Sequence, residues 1–189
     1  SKSLDRNSYD SGDWFNRIDW TLQDNYFGTG LPPAWDNAPN WPWMRPLLAN
    51  PAIRPEPAQI VWTRDAFLDL LRIRASSTLF RLRTAEDVRT RLHLPNSGAQ
   101  QEPTVLVGHL DGEGYAGANF REVMYFINVD VRAHALRADG QHGRGWTLHP
   151  VHAAEDAADR RAATEARYDG NEGRFDIPPR TAVVFVVPL

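Results

Sequence analysis

Between Pro57 and Ala75 the apolar residues Ile60, Phe67, Leu70, Leu71 and Ile73 recur at helical spacing, and Pro57 suits a first turn. This stretch is predicted to be a helix with one side buried. After Thr84 the period becomes two: Val88, Thr90, Leu92 and Leu94 alternate with Arg89, Arg91 and His93, which predicts a half-buried strand. Further β-type runs cover Thr104–His109, Met124–Val131, Arg174–Ile177 and Thr181–Val187. The turn residues Asp169-Gly170-Asn171-Glu172-Gly173 separate a short strand at Ala166–Tyr168 from Arg174–Ile177. Short strands at this spacing with Gly-rich connections predict a mainly β fold, an antiparallel β-sandwich of about 100 residues. Ala153–Ala166, rich in Ala, Asp, Glu and Arg, is helical on propensity alone.

Residues 1–55 follow neither period. Five of the seven Trp (Trp14, Trp20, Trp35, Trp41, Trp43) fall here, interleaved with Asn, Asp, Gly and Pro. Gly28, Gly30, Pro32, Pro33, Pro39, Pro42 and Pro46 exclude a long helix or central strand, so the segment reads as long, packed loops with short helical turns. Loops of that length inside a compact domain are more often functional than merely connecting.

The chain has 189 residues, enough for one domain or one domain with part of another. With 42% hydrophobic and 24% charged residues it has a globular composition. A net charge of −3 argues against nucleic acid or an anionic membrane as partner. The longest apolar run, Ala182–Val187, is far shorter than the roughly 20 residues that cross a bilayer as a helix. Cysteine is absent, which removes disulfides, thiolate metal sites and cysteine nucleophiles. The absence of an initiator Met and of a signal-peptide pattern at Ser1 suggests a chain that begins inside a longer protein.

Several motifs have a bland explanation. Gly112-Glu113-Gly114-Tyr115-Ala116-Gly117 matches GxGxxG, but the next segment is predicted to be a strand, so no helix N-terminus would hold a pyrophosphate and a hairpin loop is expected. His149 and His152 have Pro150 between them and no carboxylate cluster beside them, so neither a metal nor any other cofactor is expected. Ser1–Asn16 is different. Asp5, Asn7, Asp10, Asp13 and Asn16 alternate with Arg6, Tyr9, Trp14 and Phe15, without helical or strand period. Sugar hydroxyls donate and accept at once, so carboxylates, amides and guanidinium groups bind them in pairs while an aromatic face covers the ring. The same residues also suit a rigid loop in which Asp and Asn cap turns and Trp fills core, and composition leaves both open.

The run SKSLDRNSYDSGDWFN with IDW, Asp24–Gly28, Gly30-Leu31-Pro32-Pro33, Asn40-Trp41-Pro42, Arg72–Leu82, Leu148–Val151 and Pro178–Thr181 resembles type I pullulanases and plant limit dextrinases, over nearly the whole chain. The resemblance implies an α-amylase-superfamily debranching enzyme: a (β/α)8 barrel followed by a C-terminal sandwich. On that plan residues 1–83 are the eighth βα loop and last helix of the barrel, and residues 84–189 are the sandwich. The eighth loop then belongs to the cleft wall, because barrel sites lie at the C-terminal ends of the strands. The implied chemistry is retaining hydrolysis of α-1,6-glucosidic bonds by two carboxylates. In the family these lie upstream, so no catalytic residue is expected in this chain and the isolated piece is expected to be inactive.

What the resemblance carries over are substrate contacts at Arg6 and Asn7, with Asp10 and Asn40 as further contacts. Position 7 is often Asp in the family, and the position before Asn40-Trp41 is often acidic where this chain has Pro39. Asp13, Trp14, Asn16 and Trp41 are assigned to scaffolding. The implied partners are an α-glucan (pullulan, limit dextrin, malto-oligosaccharides) and the upstream barrel of the same protein. A rival expectation is a non-catalytic module whose sandwich binds glucan or only covers the barrel.

Overall fold

The computed structural model describes residues 2–7, 9 and 17–189, and divides into two compact units, Ser1–Asp65 and Ala66–Leu189.

The first unit is loops joined by short helices: α1 (Ala34–Asn37), a 3-10 turn (Ala38–Asn40), α2 (Trp41–Leu48) and a 3-10 turn (Pro51–Ile53). Pro42 lies in the first turn of α2, where its missing N–H costs nothing, and Met44 is the buried residue of that helix. Local capping sets the loop shape. The Asp19 carboxylate accepts from the backbone N–H groups of Thr21 (2.9 Å), Gln23 (3.0 Å) and Asp24 (3.0 Å) and from the Thr21 hydroxyl (2.7 Å). These bonds, that of the Thr21 hydroxyl first, lower its pKa to about 2. Gly28, at φ +79°, donates to the Lys2 carbonyl at 2.9 Å, and a Cβ there would lie 2.5 Å from the Leu48 carbonyl oxygen.

Helix α3 (Pro57–Ser76) starts in the first unit and ends in the second, matching the predicted span. Its buried residues are Asp69 and Ile73, one helical turn apart, whereas Phe67, Leu70 and Leu71 of the predicted apolar side remain 39–59% exposed. The buried Asp69 is satisfied by the Ala158 N–H (2.9 Å) and Arg72 (2.8 Å).

The second unit is the sandwich. Among the described residues one sheet has the order β1-β2-β3-β8-β5, from Leu92–His93, Val105–Asp111, Glu122–Asn128, Thr181–Val187 and Thr147–Leu148. The other has the order β4-β7-β6, from His134–Arg137, Arg174–Ile177 and Arg167–Asp169, and every pairing is antiparallel. Alternation assigns the faces. Val107, Met124, Phe126, Val183 and Phe185 point between the sheets, where Phe175 and Ile177 of β7 meet them, with Phe175 5.0 Å from Phe126 and 5.2 Å from Phe185. Leu110, Val123, Val184 and Val186 point the other way, onto Ile73 of α3 and Leu79.

Three sequence expectations are corrected. Residues 85–91 form helix α4 (Ala85–Arg91), and only Leu92–His93 is strand. The alternation of Val88 and Leu92 also fits the helical i, i+4 spacing, and the termini decide: Thr84 accepts from the Asp87 N–H at 3.0 Å, Glu86 and Asp87 occupy the first turn, and Arg89 and Arg91 the last. Ala153–Ala166 is not one helix. It holds the end of α5 (Pro150–Ala153) and α6 (Arg161–Thr164), and between them Asp159 accepts from both the backbone N–H (3.1 Å) and the guanidinium (2.9 and 2.6 Å) of Arg161. The Pro150 between His149 and His152, which on sequence disfavours a helical i, i+3 arrangement of the pair, occupies the first helical position, where proline is favoured.

Candidate functional site

Arg6 is anchored at both ends. Its backbone N–H donates to Asn37 Oδ1 (3.4 Å), and its guanidinium donates to Asp36 Oδ1 through Nε (3.1 Å) and Nη2 (2.5 Å). The side chain nonetheless stays 66% exposed, against 14% for Asp36. The hydrogen bond to Asp36, then its charge, holds the guanidinium pKa above its ordinary value. One edge of the fork is fixed and the rest faces outward, the arrangement that presents donors to a hydroxylated ligand at low entropic cost.

Beneath Arg6 lies a buried polar pair. Asn37, fully buried, donates from Nδ2 to Asp5 Oδ1 (2.8 Å) and to the Pro33 carbonyl (3.2 Å). The same Asp5 oxygen accepts the Asn7 backbone N–H at 3.2 Å, so Asn7 is placed by its main chain and its residue is exposed. Asn40 sits half-buried where the 3-10 turn meets α2, and its Oδ1 accepts from the Trp43 indole at 3.3 Å. Trp41 donates to the Pro32 carbonyl (3.0 Å) and has the Arg45 guanidinium 5.5 Å from its ring centre. Asp10, Asp13, Trp14 and Asn16 lie outside the described residues.

The structure therefore joins residues 5–7 to residues 36–37. Asp36 and Asn37 were not singled out in the sequence. They carry no signal beyond being polar residues in a Pro-rich loop, because their role depends on contacts about 30 positions away. Exposed aromatic rings are abundant in this unit: Tyr9 is 99%, Trp20 84% and Trp35 68% exposed.

Gly112–Gly117 belongs to the β2–β3 hairpin, Gly112 donates to the Arg121 carbonyl at 2.8 Å, and the next element is strand β3. His149 and His152 are both buried, with ring centres 6.5 Å apart. Burial lowers the pKa of each, that of His149 to about 4.

Residues 22–188 match the family model described as alpha-1,6-glucosidases, pullulanase-type, C-terminal. The chain is 38% identical to the chloroplastic pullulanase 1 of Arabidopsis thaliana over 98% of its own length and 20% of that protein's. It is 34% identical to a pullulanase of Klebsiella pneumoniae over 70% of its length and 12% of that protein's. The crystal structure of a maltotriose complex of PulA from Klebsiella pneumoniae superposes with a TM-score of 0.83 at 28% identity, covering all of this chain and 20% of that one. PulA from Klebsiella oxytoca gives 0.82 at 27%, covering 18% of that chain. The chain thus spans about a fifth or less of the length of these relatives.

Proposed function

Because the chain belongs to the C-terminal family of pullulanase-type α-1,6-glucosidases, we propose that it is part of a debranching enzyme that hydrolyses α-1,6 linkages in pullulan and limit dextrins. The chain contributes loop-borne substrate contacts and the C-terminal sandwich. Residues 1–83 complete the catalytic barrel with its eighth loop and last helix, and the sandwich occupies 84–189. The nucleophile and the acid of retaining hydrolysis come from the part of the parent outside these 189 residues, so the isolated chain is inactive.

The observation that carries this assignment to the residue level is the Arg6 guanidinium, held by Asp36 on one edge and open on the others. A glucan hydroxyl finds there a charged donor that is already oriented, with the exposed Asn7 as the adjoining residue. The PulA structure solved with maltotriose supports a malto-oligosaccharide as the ligand class.

The test uses the whole parent enzyme. Arg6→Ala is expected to lower kcat/KM on pullulan by about 1–3 kcal/mol of lost charge-assisted bonding, with the melting temperature nearly unchanged. A large fall in melting temperature with unchanged kinetics would assign Arg6 to scaffolding. Pullulan hydrolysis by the 189-residue chain alone would refute the upstream placement of the carboxylates.

A further inference from the structure

The end of the sandwich beyond the core closes on polar groups. Glu122 opens β3 on the same face as Met124 and Phe126, and its side chain is 8% exposed. His109 Nε2 donates to one carboxylate oxygen at 2.7 Å and Arg144 Nη1 to the other at 2.9 Å. A carboxylate has about four lone-pair positions, so these two bonds leave acceptor capacity. They form the floor of a cavity of about 640 Å³, whose walls add His93, Asp111, Glu113 and Arg121. That volume falls within the roughly 300–1,000 Å³ of small-ligand sites.

The walls are braced from behind. Arg91 donates to the carbonyls of Asp111 (3.2 Å) and Glu113 (2.8 Å) and lies 4.8 Å from the Tyr115 ring centre, holding the hairpin loop. A Cβ at Gly112 would fall 2.3 Å from the Phe120 carbonyl oxygen, so the loop follows the start of β3 closely. The His109 ring meets Trp146 edge-on at 5.8 Å, and the Trp146 indole is tied to Gln141 at 2.8 Å. Burying a carboxylate, an imidazole and part of a guanidinium at the end of a core is costly if closure is their only purpose, since apolar groups would close it more cheaply.

The charge balance selects the ligand. Asp111, Glu113 and Glu122 repel an anion, while Arg121 and Arg144 repel a cation. A neutral molecule dense in hydroxyls satisfies both sets at once, donating to the carboxylates and accepting from the guanidinium groups. We propose that this cavity is a saccharide-binding site of the sandwich, taking one or two hexose units of a neutral glucan and separate from the Arg6 loop. The choice of a glucan rests on the pullulanase-type assignment, and the site itself on the cavity.

The experiment is a titration of the isotopically labelled 189-residue chain with maltotriose, read by amide NMR shifts. Saturable shifts are expected at residues 109–114, 121–122 and 144, with a dissociation constant in about the millimolar range. Glu122→Gln, Arg144→Gln and the exposed-rim variant His93→Ala should each weaken that response, the first two by roughly tenfold. Absence of shifts at those amides, undiminished binding by all three variants, or the same shifts with inorganic phosphate but not maltotriose would each overturn the proposal. Shifts confined to residues 2–7 and 34–40 would support the Arg6 contacts and overturn the sandwich site, so the two assignments fail separately.

Discussion

The buried side-chain amide of Asn37 donates to the Asp5 carboxylate at 2.8 Å across 32 positions of sequence. The same Asn37 accepts the Arg6 N–H, and its neighbour Asp36 holds the Arg6 guanidinium. The presentation of Arg6 thus depends on a residue whose side chain is itself fully buried.

Replacing Asn37 by Asp would set two carboxylates against each other in a buried space and remove the donor to Asp5. A loss of about 2–3 kcal/mol in local stability is expected, seen as faster hydrogen exchange over residues 2–7 and 33–37. In the parent enzyme Asn37→Asp should reproduce most of the kinetic defect of Arg6→Ala. Unchanged exchange in that region would show that the pair does not hold the loop.

His149 provides a pH prediction. Its Nδ1 accepts the Val151 N–H (3.2 Å), which places the ring proton on Nε2, facing Ser76 Oγ at 3.0 Å, while Ser76 donates to the Ile73 carbonyl at 2.7 Å. Burial first, and then the charge of His152, lower its pKa from 6.5 to about 4. Between those values the unfolded chain binds the proton and the folded one does not. The stability contributed by neutral His149 is therefore complete above pH 6.5 and is lost as pH falls towards about 4, on the order of 3 kcal/mol in all. Denaturant unfolding at pH 4.5 and 7.5 should show the fall, and His149→Gln, whose amide can still donate to Ser76, should shrink it. Burial pushes His152 in the same direction against the opposing charges of Asp159 and Asp69, so a smaller slope should remain in that variant.

Gly108 of β2 stands opposite Tyr125 of β3 in the antiparallel register, and the tyrosine ring covers it so closely that a Cβ would fall 2.1 Å from the ring Cζ. Gly108→Ala should destabilise by about 1–3 kcal/mol through ring displacement and off-rotamer strain. Tyr125→Ala alone also loses packing, but in the Gly108→Ala background its cost should be smaller. A double-mutant cycle from urea midpoints should give a coupling of about 1 kcal/mol, and strict additivity would refute the contact.

Legibility followed how local each cause was. The strands Arg174–Ile177 and Thr181–Val187 and the helix at Pro57 were readable because alternation, turn residues and a first-turn proline act within a few positions. The region after Thr84 was misread although its cap was in plain sight. Val88 and Leu92 satisfy both periods, and the Thr84–Asp87 cap is the feature that separates them. Ala-rich propensity over 153–166 was overridden by the bonds of Asp69 to the Ala158 N–H and of Arg161 to Asp159 and to the Pro179 carbonyl.

By itself the sequence determined the sandwich, through period-two runs divided by turn chemistry, and the pullulanase-type family, through the specific wording of its loops. Through the same resemblance it implies substrate contacts at Arg6 and Asn7, which composition by itself leaves open between sugar binding and a rigid loop. Only the tertiary structure decided that Asp36 and Asn37 hold Arg6, and that His109, Glu122 and Arg144 converge on one cavity. Alternation says which face of a strand a residue takes, but which distant side chains meet it there depends on strand order and on loop contacts 13 to 32 positions apart. Such contacts form only once the chain has closed on itself.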